Sequence, residues 1–168
     1  MADTTASPSP RYGVVPPAER GSTSGLRFLQ AMLAGQLPAP PITEIMAITL
    51  ESAREGAVVM HGAPQREHLN PLGSVHGGYA CTLLDSVMGC AVHSTLAAGE
   101  GYTTIELKVN LTRTILPGMR VRGVGTILNR GRQLATAEGR IFAEDGKLLA
   151  HAVTTCLIFP IEQTRAAA

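Results

Sequence analysis

The sequence is short of charge, of cysteine and of long uninterrupted apolar runs, and each shortage removes a class of protein. Only 16% of the residues are charged and the net charge is +1, so no overall field draws the chain to nucleic acid or to an anionic membrane. No DNA-reading helix or basic arm is visible either. Cys81, Cys90 and Cys156 are the three cysteines; they form no CxxC motif and cannot all pair within one chain. They read as small buried hydrophobes in a reducing compartment, which makes the cytoplasm the expected location. The N-terminus lacks the apolar core of a secretory signal. The most apolar stretch, residues 79–98, is interrupted by Asp85 and His93, so no membrane span is expected. His61, His68, His93 and His151 offer no HExxH motif and no i, i+4 pair, which argues against a zinc site. No internal repeat is present.

What remains is a chain of 168 residues, 45% apolar, long enough for one sizeable core and rich enough in apolar groups to suggest surface buried between subunits. Residues 1–24 are mostly Ala, Ser, Thr, Pro and Gly and read as a flexible tail. Residues 25–41 read as a short helix, with Leu26, Leu29 and Leu33 at helical spacing, followed by a Pro-rich connector. Residues 42–160 form the main domain and 161–168 a C-terminal tail. Within the domain, Ile42–Ser52 and Gly56–Ala63 read as strands. A long apolar segment from His76 to about Ala98 then reads as a helix. Tyr102–Ile115, Met119–Asn129, Gln133–Ala143 and Lys147–Phe159 follow as four strands, the last two joined by Glu144-Asp145-Gly146. This order predicts an α+β domain with the helix packed on an antiparallel sheet.

The chain is organised around NPLGSVHGGYACTLLD, residues 70–85. A loop rich in turn residues runs into a helix start at His76-Gly77-Gly78, where unpaired backbone N–H groups and the positive end of the helix dipole would stabilise an oxyanion. Asp85 is the only formally charged residue between Gly78 and Gly99. A carboxylate on a helix apolar on nearly every side must be hydrogen-bonded, protonated or turned toward a wet cleft. A structural ion pair would explain an isolated buried Asp; the donor-rich turn upstream shifts the reading toward catalysis. A Cys81 or Ser86 nucleophile with His76 and Asp85 is a weaker arrangement, because His76 belongs to the turn.

The spacing N-x-x-G-x-x-H-G-G-x-x-x-x-L-x-D, carried by Asn70, Gly73, His76, Gly77, Gly78, Leu83 and Asp85, resembles the signature of PaaI-like (phenylacetate-degradation type) hotdog-fold acyl-CoA thioesterases. The resemblance extends through element order over about residues 42–160. It implies a hotdog fold, an antiparallel sheet wrapped around a long central helix, and a homo-oligomer, a dimer or dimer of dimers, with active sites shared between subunits. It implies that Asn70 and the Gly77 N–H meet the thioester carbonyl, that Asp85 from the partner acts as general base or nucleophile, and that Thr104 holds the attacking water. His76 would orient the turn and Gly78 would lie against substrate. Arg130 and Arg132, on either side of Gly131 in a tight turn, become candidates for the coenzyme A phosphates. No cofactor or metal is implied, coenzyme A being part of the substrate. Two other readings share the fold: a non-catalytic acyl-CoA-binding module and a hotdog dehydratase.

Overall fold

The computed structural model describes residues 11–161. The first ten residues of the expected N-terminal tail and residues 162–168 of the expected C-terminal tail lie outside that range. The helices are α1 (Gly25–Leu33), α2 (Pro41–Ile45) and α3 (Gly77–His93); the strands are β1 (Ile48–Arg54), β2 (Ala57–Gly62), β3 (Glu100–Leu111), β4 (Val121–Arg130), β5 (Leu134–Ala143) and β6 (Leu148–Pro160). All six strands join one antiparallel sheet in the order β1-β2-β4-β5-β6-β3. The sheet wraps around α3, whose Leu83, Leu84, Val87, Met88, Ala91 and Val92 are fully buried. All of these except Ala91 join Val58 and Met60 of β2, Val121 of β4, Ala135, Ala137 and Ile141 of β5, and Ala152 and Cys156 of β6 in one core.

Helix α3 lies so close to β4 that a Cβ on Gly125 would stand 2.2 Å from the Val87 carbonyl oxygen. The helix therefore rests on bare backbone at that point. It ends five residues short of the expected boundary. The Ser94 and Thr95 hydroxyls donate back to the carbonyls of Ala91 and Val92 and wind the chain out of the helix.

Three further boundaries differ from expectation for local reasons. Residues 42–45 are helical, not extended: Pro41 supplies a pre-set φ at the first helical position and the Thr43 hydroxyl donates to the Pro40 carbonyl, so the strand starts only at Ile48. Strand β3 stops at Leu111, where the Thr112 and Arg113 N–H groups both turn to the Leu149 carbonyl. Residues 11–24 of the expected tail lie on the domain: Tyr12 bridges to Ala39, Val15 is buried and the Gly99 N–H donates to the Gly21 carbonyl. Helix α1 buries Leu29 against β1 and the C-terminal end of α3, where Phe28 meets the His93 ring edge-on at 5.2 Å.

Candidate active site

Two groups of functional atoms lie at different heights on α3. The first is the N-terminal turn. His76 caps the helix, its Nδ1 accepting the Gly78 N–H at 2.9 Å. This bond consumes the Gly78 donor. Among the described residues the Gly77 N–H has no acceptor within the chain, and Gly77 lines a cleft of about 300 Å³ together with Ser74, His76, Leu111, Arg113 and Ala150, among others. A Cβ on Gly77 would stand 2.8 Å from Leu111 Cδ1, so a side chain there would crowd the cleft wall.

Asn70 belongs to the same loop but is turned largely on itself. Its Oδ1 accepts from the Leu72 and Ser74 N–H groups, and its Nδ2 donates to Ser74 Oγ at 2.8 Å. One amide hydrogen is left for a ligand. The sequence marks Asn70 as a site residue; the structure adds that most of its capacity shapes the turn.

The second group centres on Asp85, two turns further along. Its Oδ1 accepts the Thr104 hydroxyl at 3.0 Å. Thr104 lies next to Cys156, Oγ1 to Sγ 3.9 Å. The Cys90 thiol is pushed up to about 12, by burial first and by the Asp85 charge second; burial, followed by the Cys90, Cys156 and Asp85 charges, also holds the Tyr102 phenol well above its usual range. Asp85 thus has one hydroxyl donor fixed on it, beside a thiol and a phenol that burial keeps protonated. The β3 bulge between Thr104 and Glu106 makes this possible. Tyr102 and Thr104 face α3 on one side of the bulge, and Leu107 and Val109 do so on the other. Strict alternation would have placed Thr104 with Glu106 and Lys108 on the face away from the helix.

The two groups do not meet within one chain. Eight residues of helix separate Gly77 from Asp85, about 12 Å, and Asp85 is absent from the lining of the Gly77 cleft. Arg130 and Arg132 lie apart from both. Arg130 pairs with Glu100 at 2.8 Å and is mostly covered, whereas Arg132 is exposed in the turn between β4 and β5. Arg113, which sequence reading passed over, is the cation on the Gly77 cleft; one of its nitrogens donates to the Leu148 carbonyl at 2.6 Å. Its position follows from the end of β3, and no motif in the sequence signals it. Among the described residues no three His, Cys, Asp or Glu side chains come together as metal ligands. No helix among them is long and apolar enough to cross a membrane.

Residues 72–150 match the family model of the thioesterase superfamily. Human acyl-coenzyme A thioesterase 13 is 29% identical over 130 residues, spanning 76% of this chain and 92% of the relative. A phenylacetic acid degradation-related protein of Ralstonia eutropha superposes with a TM-score of 0.71 at 29% identity, covering 77% of this chain and 98% of the other. A hypothetical thioesterase of Streptococcus pneumoniae, solved with coenzyme A, gives a TM-score of 0.63 at 25% identity over 67% of this chain and 86% of the other.

Proposed function

We propose that the chain hydrolyses acyl-CoA thioesters, aliphatic or aryl, to the free acid and coenzyme A; the match of residues 72–150 to the thioesterase superfamily model and the likeness in fold to thioesterases support this reading. The observation that carries this reading is the pairing of a free Gly77 N–H at a helix start with a lone helical carboxylate, Asp85, held by the Thr104 hydroxyl. The thioester carbonyl oxygen accepts the Gly77 N–H, and the remaining Asn70 amide hydrogen adds a second donor. As the tetrahedral centre forms, the oxygen gains charge that the Gly77 donor and the helix dipole stabilise, an effect worth about 2.7–4 kcal/mol for one well-aimed donor. Asp85 either takes a proton from the attacking water or attacks the carbon itself to form an anhydride that water then cleaves. In both routes the C–S bond breaks and coenzyme A leaves as the thiol once protonated. Thr104 keeps the carboxylate aimed.

Both groups serve one carbonyl only if they come from two subunits, so the proposed enzyme is a dimer or a dimer of dimers. Strand β3 is the free edge at one end of the sheet. Its residue 104 sits beside Asp85 and its residue 111 beside Gly77. Two β3 edges paired antiparallel, with Thr104 of each opposite Leu111 of the other, would bring Asp85 of one chain to Gly77 of the next. For the coenzyme A phosphates the reading assigns Arg132 and Arg113, exposed cations near the strand ends, ahead of Arg130, which Glu100 already engages. The test is a panel of acyl-CoA and aryl-CoA thioesters with release of free thiol as the readout. Turnover of at least one class above the spontaneous rate, abolished in Asp85→Asn, is the expected result; no thiol release from any of them defeats the reading.

A further inference from the structure

His68 lies outside the chemistry assigned above, yet its imidazole is hydrogen-bonded through both nitrogens in the loop that presents Gly77. The Gln65 N–H donates to His68 Nδ1 at 2.8 Å, and His68 Nε2 lies 2.8 Å from the Ile45 carbonyl oxygen. A carbonyl only accepts, so the hydrogen is on Nε2; the ring is the neutral Nε2–H tautomer. The Ile45 carbonyl belongs to the last turn of α2, where no intrahelical donor remains, and His68 supplies one. The same ring stands edge-on to Tyr79 at 5.2 Å, two residues beyond Gly77 in the first turn of α3. The main chain completes the clamp, since the His76 N–H donates to the His68 carbonyl at 2.8 Å. His68 is 8% exposed, so these bonds are shielded from competing water.

We propose that His68 is the positioning residue of the Gly77 turn. Its side chain fixes the place of its own carbonyl, that carbonyl fixes His76, and His76 sets the direction of the Gly77 N–H. The inference rests on the thioesterase reading for its effect on turnover, but its structural content is independent of activity. Leu in place of His68 removes both ring bonds at similar volume. His68→Asn keeps an acceptor near Nδ1 but cannot reach Ile45; His68→Gln keeps a donor near Nε2 but loses Gln65.

The experiment measures amide hydrogen exchange over residues 74–79 together with kcat and KM. In His68→Leu, exchange in that segment should quicken about tenfold or more while β5 and β6 stay protected. Its kcat should fall about tenfold or more with KM changed less than about twofold, because a misdirected donor is lost chiefly in the transition state. His68→Asn and His68→Gln should fall between wild type and Leu in both readouts, and they carry the comparison if the Leu variant does not fold. Wild-type exchange over 74–79 and wild-type kcat in the substituted proteins, even with a lowered melting temperature, would overturn the proposal. A wild-type protein that releases no thiol defeats only the thioesterase reading and leaves the exchange result standing.

Discussion

At the scale of single residues, the arrangement around Asp85 makes the sharpest demands. Asp85→Asn keeps the shape and the Thr104 contact but removes the proposed base or nucleophile, so kcat should fall at least about 10²-fold with the fold intact, as thiol-release kinetics and circular dichroism would record. Thr104→Val deletes the hydroxyl that donates to Asp85 at 3.0 Å while keeping the volume. A hydrogen bond to a charged group is worth about 1.5–3 kcal/mol, so a loss of about tenfold or more in kcat is expected, smaller than for Asp85 itself. Cys90, with its thiol pushed up to about 12 by burial and by Asp85, should resist alkylation by iodoacetamide at about pH 8 in the native protein and react on unfolding, as peptide mass spectrometry would show.

Among the elements, the decisive contacts are those that hold α3 inside the sheet. Gly125→Ala would drive a Cβ into the Val87 carbonyl, which is main chain and cannot swing aside. Overpacking of this kind should cost about 3 kcal/mol or more and lower the melting temperature by about 6 °C or more. The sheet end that covers the last turn of α3 depends on Glu100, whose Oε2 accepts from the Ala97 N–H and from Arg130. Its carboxyl is held below the usual range, by the Ala97 hydrogen bond first and with Arg130 reinforcing it against burial. The stability it contributes is complete above the ordinary glutamate value of about 4.3 and is lost as the pH falls through the lower folded value. The side chain is 32% exposed, so screening keeps the effect below about 1 kcal/mol. Melting curves of wild type and Glu100→Gln should therefore differ at neutral pH and converge below about pH 4.

For the whole molecule, the proposed action of Gly77 and Asp85 on one carbonyl predicts two chains per site, because the two groups stand about 12 Å apart along α3. In the proposed dimer, Asp85→Asn homodimers would lack the carboxylate in both sites, and Gly77→Val homodimers would crowd the proposed oxyanion donor in both. A mixed dimer places the two defects in one site and leaves the other whole. Subunit exchange between the two inactive variants should restore activity in proportion to the heterodimer formed, up to about half that of wild type per dimer. Exchanged mixtures that stay inactive, with heterodimers confirmed by native mass spectrometry, would rule out the shared site.

The sequence by itself determined the central helix, the order of the strands and the positions of Asn70, His76, Gly77 and Asp85, because spacing within one continuous segment and apolar periodicity are local properties. It also placed the α3 start at His76-Gly77, where the cap is a local hydrogen bond. Tertiary structure alone decided what those residues face. Thr104 reaches Asp85 only because a bulge reverses the alternation of β3, and the bulge is a matter of pairing with β6. Arg130 is committed to Glu100, thirty residues away in sequence, and Arg113 comes to the Gly77 cleft through the turn of the chain onto Leu149. His68 acts through Ile45, twenty-three residues earlier. Such partners are joined by the folding of the sheet around α3, and no pattern within a short window of sequence encodes which distant backbone group will arrive beside a given side chain.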